Sequence, residues 1–387
     1  MKLSRLCFTC GLPATLLVAG PALAQEPGAW AFSGDLRAMY STSWRDTRSG
    51  DSRESDTFGS RLRMRLRRDL NENWRVQGRF ATTFEDSGND AEFYVRPERE
   101  SATEVEPGTA TLDELFVQYR TDDRKTEFRF GRMQSTFTLP LITSKSLDRN
   151  QASNINIGWT DGVYLGRQVT NDWKATVTAQ FNSHEGNGTL TRGPLDFSDS
   201  GSRVSLYSTL ESDAEIGPVF MRALTVTWYP DALAFEGVQS ARREDYAAAT
   251  FKMAAGWDVG DAVGGAGTRL VVAGSLGQAL NMPDKDVLGL PGRGDTNGFA
   301  WHLGFDLVEL WPRHTVGVIF GEADAGWLIS NDYRQNDSLA EFRWSWQVTE
   351  PLRIQFRARW RQEQNLRAGA LIAQRDRDMR LRATWKF

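Results

Sequence analysis

The chain has 387 residues, a formal net charge of −4 and a charged fraction of 25%, and it is rich in Trp (14) and Phe (21). No run of about 18 apolar residues follows the first two dozen positions, which excludes transmembrane helices. The sequence pI of about 5.6 and the absence of a basic tail exclude nucleic acid as a partner. Both cysteines, Cys7 and Cys10, fall within the first 24 residues, so the remainder has no disulfide staples, thiol catalysis or Cys-type metal sites.

Met1 to Ala24 has the three parts of a secretory signal peptide. Lys2 and Arg5 give the positive start, Leu6 to Gly20 the apolar run, and Ala22-Leu23-Ala24 the cleavage site. Residues 1–24 are therefore expected to be removed after export, and residues 25–387 to form one domain.

The first predicted strand runs from Trp30 to about Trp44. Trp30, Phe32, Leu36, Tyr40 and Trp44 share one face, while Asp35 and Arg37 share the other. Polar residues from Arg45 to Thr57 read as a loop. In the next strand Phe58, Leu62, Met64 and Leu66 alternate with Arg61, Arg63, Arg65 and Arg67. A helix would scatter both sets around its axis; a strand gives one oily face and one row of guanidinium groups. After the turn Leu70–Asn73, Trp74, Val76, Phe80 and Phe84 oppose Arg75 and Arg79. Leu115, Val117 and Tyr119 mark a strand with Glu114 and Arg120 opposite. Phe128 and Phe130 mark another, opposite Glu127 and Arg129. A long irregular segment, Gln134 to Gly158, precedes a strand from Trp159 to Arg167.

The same alternation continues through Trp173–Phe181, Val204–Leu210 and Phe220–Trp228, where Arg222 falls on the apolar face and has to snorkel or mark a shifted register. It persists through Ala247–Trp257, Arg269–Leu276, Phe299–Leu307 and Val316–Phe320. In Phe342–Val348, Arg343 is inward. In Leu352–Trp360, Arg353, Arg357, Arg359 and Arg361 face away from the apolar set. In Met379–Phe387, Arg380 and Arg382 do the same.

About sixteen strands, joined alternately by short turns and long loops, meet the requirement of an all-β fold: a transmembrane antiparallel up-and-down β-barrel with short periplasmic turns and long extracellular loops. Aromatic residues at both ends of the apolar faces suit two membrane interfaces. The apolar face then meets lipid, and the arginines line a wet lumen. Closing the barrel brings the last strands beside the first, so the arginines above form one continuous basic wall.

At this level the chain resembles the Gram-negative outer-membrane porins. The C-terminal L-R-A-T-W-K-F, ending in Phe387, looks like the signal such proteins present to the barrel-assembly machinery. F-R-F-G-R-M-Q (Phe128–Gln134), a long loop and then D-G-V-Y-L (Asp161–Leu165) are similar to the fifth strand, third loop and sixth strand of those porins. Phosphate-selective, dicarboxylate-type and alginate-exporting porins share this look, and the subfamily stays open. The resemblance implies an inward-folded third loop, with Lys145, Asp148 and Arg149 as constriction candidates, and leaves a homotrimer open. The expected partners are outer-membrane lipid, the assembly machinery and small anionic solutes, with no cofactor and no metal.

Rows of Arg favour anions in a pore, and the guanidinium fork suits carboxylate and phosphate. The expected function is a water-filled, arginine-lined outer-membrane channel for passive diffusion of small hydrophilic solutes, favouring phosphate, carboxylates or uronates. The alternative is an outer-membrane barrel enzyme (a lipid or ester hydrolase) or a surface adhesin. Against the enzyme, His184, His302 and His314 are the only histidines, none on an outward face beside a Ser, and no G-x-S-x-G or H-E-x-x-H occurs.

Overall fold

The computed structural model describes residues 28–85, 92–93, 109–148, 157–182, 193–197, 203–234, 243–260 and 267–387. The expected signal peptide and His184 lie outside them. The strands are β1 (Trp30–Asp46), β2 (Ser52–Asp69), β3 (Trp74–Glu85), β4 (Glu92–Phe93), β5 (Thr109–Arg120) and β6 (Thr126–Met133). There follow β7 (Thr160–Gln168), β8 (Lys174–Phe181), β9 (Val204–Ser212), β10 (Val219–Ala234), β11 (Arg243–Asp258) and β12 (Arg269–Ala279). The last are β13 (Phe299–Trp311), β14 (His314–Ala323), β15 (Asp337–Gln347), β16 (Leu352–Glu363) and β17 (Arg375–Lys386).

Sixteen of these form a closed antiparallel barrel in which each strand pairs with its neighbours in chain order. The two-residue β4 is a parallel spur on β5. Closure is made by β17 on β1, with Leu36 opposite Trp385, Ala38 opposite Ala383 and Tyr40 opposite Leu381. Among the described residues no helix is long and apolar enough to cross a membrane. In hydrocarbon an unpaired backbone edge costs several kcal/mol per group, so a sheet of this polarity has to close.

The alternation sorts the side chains as the sequence predicts. Phe32, Leu36, Tyr40, Phe58, Leu66, Trp74, Phe84, Phe130, Val177, Leu276, Trp360 and Leu381 stand out from the outer surface, whereas Arg61 on the inner face is wholly buried. Trp30, Trp74, Trp257, Trp311 and Trp385 emerge near the short turns, and Trp44, Trp228 and Trp360 near the other rim. Arg222 is in register, opposite Ser212 and Met253. It snorkels: its guanidinium donates to Ser212 Oγ and the Ala214 carbonyl, both at 3.0 Å, and lies 5.4 Å over the Trp173 ring.

One boundary is corrected. The expected loop Arg45–Thr57 is mostly strand: β1 and β2 continue as a hairpin to Asp46 and Ser52, joined by residues 47–51. The ladder outlasts the hydrophobic pattern because this part of the hairpin has water on both faces, and polar side chains then carry no period-2 signal.

The seam is finished by the last residue. Phe387 exchanges backbone hydrogen bonds with Gly34, at 2.7 and 3.1 Å, and its ring lies 5.9 Å from that of Phe32. A Cβ on Gly34 would overlap the Phe387 ring and the Arg63 carbonyl. Gly34→Ala is expected to destabilise the closed barrel by about 1–3 kcal/mol, the usual range for overpacking, read as a lower urea midpoint of the folded, heat-modifiable species.

Candidate functional site in the barrel lumen

The inner faces of β15, β16, β17, β1, β2 and β3 are contiguous, and they carry the arginines singled out in the sequence except Arg129, which lies on β6 and is not part of this wall. The register sets several side by side. Arg357 is directly opposite Arg343 on one side and Arg380 on the other. Arg37 is opposite Arg61, and Arg65 is opposite Arg79. Like charges directly opposite across a ladder are destabilising, so carboxylates are interleaved. Asp35 lies 3.1 Å from Arg37 and 3.0 Å from Arg61. Glu341 lies 2.6 Å from Arg343, and Asp378 lies 2.6 Å from Arg359 and also bonds Arg357. Asp69 serves Arg75 at 2.5 Å and Arg67 at 4.0 Å.

The strongest of these pairs was not legible in the sequence. A β-bulge in β5 separates the pairs Arg79–Glu114 and Phe80–Leu112. The extra residue is Asp113, so two consecutive acids, Asp113 and Glu114, both turn inward. Arg79 grips Asp113 with both arms, Nε to Oδ1 at 2.7 Å and Nη2 to Oδ2 at 2.8 Å, in the bidentate geometry. Arg63 reaches the same carboxylate at 2.9 Å, and Glu114 takes Arg79 at 2.8 Å and Arg65 at 3.3 Å.

The carboxylates do not reach every cation. Arg353 meets no carboxylate among the described residues, and Arg382 donates only to the Gln355 side-chain oxygen. Arg361 donates to the Asp332 carbonyl at 2.7 Å. On the opposite flank Arg129 pairs with Glu127 and lies 5.0 Å over Tyr164.

The segment 134–148 folds into the barrel and is fixed to the inner face of β11–β15. Leu139, Leu141 and Leu147 join a buried cluster with Ile319, Trp327 and Leu328. Gly304 and Gly317 supply the hollow, because a Cβ at either would strike Leu141 or Ile142. Polar anchors set the position. Ile142 N–H donates to Asp306 at 2.5 Å, Arg343 Nη1 donates to the Ile142 carbonyl at 3.1 Å, and Trp327 Nε1 donates to the Leu147 carbonyl at 2.8 Å.

Lys145 and Asp148 are among these anchors. Lys145 Nζ lies 3.3 Å from Glu341 and 3.8 Å from Asp332. Asp148 lies 2.6 Å from Lys252 Nζ and accepts from Thr250 at 2.8 Å. Burial pushes the Asp148 carboxyl up, but the Lys252 ammonium and the Lys252, Ser146 and Thr250 donors outweigh it and hold it below its ordinary range. Both side chains are buried against the wall, so they position the loop rather than stand free in the passage. Arg149 lies outside the described residues.

His302 makes the one Ser–His contact of interest. Its Nε2 is 3.1 Å from Ser275 Oγ, both buried in the inner wall, and its Nδ1 has no partner among the described residues. The orienting carboxylate of a hydrolytic triad is absent from this pair. No cluster of metal-ligating side chains occurs among the described residues.

Two outcomes test this geometry. Asp113→Asn leaves Arg63 and Arg79 without their shared charge and is expected to cost about 3 kcal/mol in urea unfolding, the low end for breaking a buried pair. Lys252→Met unpairs Asp148 and frees the loop, expected as larger and noisier single-channel conductance steps.

No protein-family model matches the chain, and no curated protein is significantly similar to it in sequence. Solved structures do match. The high-pH structure of Pseudomonas putida OprB is 12% identical with a TM-score of 0.61, over 93% of this chain and 94% of that one. An anion-selective porin from Comamonas acidovorans is 12% identical with a TM-score of 0.55, over 93% of this chain and 100% of that one. Pseudomonas aeruginosa OccK8 (OprE) is 12% identical with a TM-score of 0.55, over 92% and 98%. The likeness is one of fold, and the fold is that of the outer-membrane porins.

Proposed function

We propose that the chain is an outer-membrane channel for passive diffusion of small hydrophilic solutes and that it favours anions. The observation that carries the reading is the cationic surplus at the closure seam. Arg343, Arg357 and Arg380 stand in one row across three strands, and Arg353 and Arg382 nearby meet no carboxylate among the described residues. Juxtaposed guanidinium groups weaken a ladder. Keeping them in a lumen is reasonable where passing anions and their counter-ions offset the repulsion. The similarity of fold to a porin named as anion-selective supports the same reading. Nothing about His302 and Ser275 favours the hydrolase alternative.

Under a KCl gradient across a planar bilayer, the reversal potential is expected to show chloride preference. Arg353→Gln with Arg382→Gln is expected to lower the chloride-to-potassium permeability ratio several-fold with the barrel still folded. Cation preference of the unmodified protein would overturn the proposal.

A further inference from the structure

The outer surface near the long-loop rim carries arginines of its own. Arg375 and Arg377 on β17 share a face with the lipid-facing Met379 and Leu381, and both are exposed. Arg377 stands in register between two tryptophans of the rim, Trp44 on β1 and Trp360 on β16. Arg375 is one outward row further from the membrane centre, between Asp46 and Gln362.

Elsewhere on this rim tryptophans are tied to acids. Trp228 Nε1 donates to Asp245 at 3.0 Å, and Trp301 Nε1 donates to Glu322 at 3.2 Å. On β2 the outward residues at this level are Glu54 and Asp56. The arc at β16 and β17 is where the aromatic belt flanks guanidinium groups instead. These cations are only loosely engaged. The Arg377 side chain is 58% exposed and lies 3.9 Å from Asp46, and Arg375 makes no ion pair among the described residues.

The sheet below them is grooved. Phe320, Ala340 and Trp360 form one outward row across β14, β15 and β16, so Ala340 is the floor of a trough between two large rings. This trough reaches Trp301 and has a volume of about 570 Å³. A second, of about 290 Å³, passes over Ala358 and Met379 between Trp44 and Trp360. Arg377 and Trp360 line both. A snorkelling arginine alone requires only water at its head. Two apolar troughs that meet at one guanidinium, with a second guanidinium beside it, have the shape of an acidic amphiphile with several chains. Guanidinium holds phosphate bidentately, and basic clusters at a leaflet boundary hold lipid headgroups.

Independently of what the lumen passes, we infer that the outward face of β14–β17 and β1 at the external rim binds a phosphorylated glycolipid of the external leaflet. Its phosphates engage Arg375 and Arg377, and its acyl chains lie in the two troughs. A bound phosphate takes the place of Asp46 at Arg377, while Glu322 stays with Trp301. Two cations and two troughs suit a lipid with two phosphates and several chains; a lipid with one phosphate and two chains meets only part of the site.

The test is native mass spectrometry of the delipidated full-length protein in detergent, with bisphosphorylated lipid A or phosphatidylglycerol added at equal concentration. One lipid A is expected to be retained, with at least fivefold higher occupancy than phosphatidylglycerol. Arg375→Gln with Arg377→Gln should lower lipid A occupancy at least fivefold and leave the chloride-to-potassium reversal potential unchanged. Ala340→Leu, which fills the larger trough and keeps both arginines, should lower it as well. Arg68→Gln, a change to an outward arginine at the opposite rim, should not. A heat-modifiable folded band controls for assembly. Equal lipid A occupancy in the unmodified protein and the double arginine variant would overturn the inference, as would equal retention of phosphatidylglycerol. Oligomers that dissociate in the double variant, with no lipid A retained by the unmodified protein, would assign this face to a second copy of the chain and overturn it too.

Discussion

Everything in this molecule depends on hydrogen-bond closure in a solvent that offers no hydrogen bonds. A sheet edge in hydrocarbon is intolerable, so β17 returns to β1, and their register decides which residues face inward. Leu36 and Tyr40 go to lipid because Trp385 and Leu381 do, and Arg37 goes to the lumen beside Thr384. A slip by one residue would exchange the two faces along the whole seam. The final backbone bonds from Phe387 to Gly34 fix that register at the end where the chain stops.

Inside, charge is distributed by side rather than by depth. The arginines gather on β15–β17 and β1–β3, and the inward loop is held on β11–β15. The two regions are not independent. Glu341 is shared by Arg343 of the wall and Lys145 of the loop, and Asp332 binds the Ser146 amide while its carbonyl accepts from Arg361. The loop therefore sits where it does partly because the wall supplies carboxylates in that place, and a change on either partner is felt by the other.

The fold was readable because a two-solvent sheet leaves a period of two in the sequence. Phe58–Leu66 alone shows both faces, and its neighbours repeat the pattern. The signal failed where the physics producing it is absent. Beyond Trp44 the hairpin has water on both sides, so its ladder left no hydrophobic trace. Asp113 was missed because a bulge breaks the period at one residue, and no local residue type announces it. The inward loop was expected, but Lys145 and Asp148 gave no hint that their partners would be Glu341 and Lys252, roughly a hundred or more positions away in the chain.

The seam has one more consequence. The arginine wall is assembled from the first and the last strands, and neither set is complete without the other. A barrel left open at β1–β17 would have most of its oily exterior but only two halves of its cationic surface, splayed apart. The continuous cationic surface is therefore a property of topological completion, and it exists only once the barrel has closed.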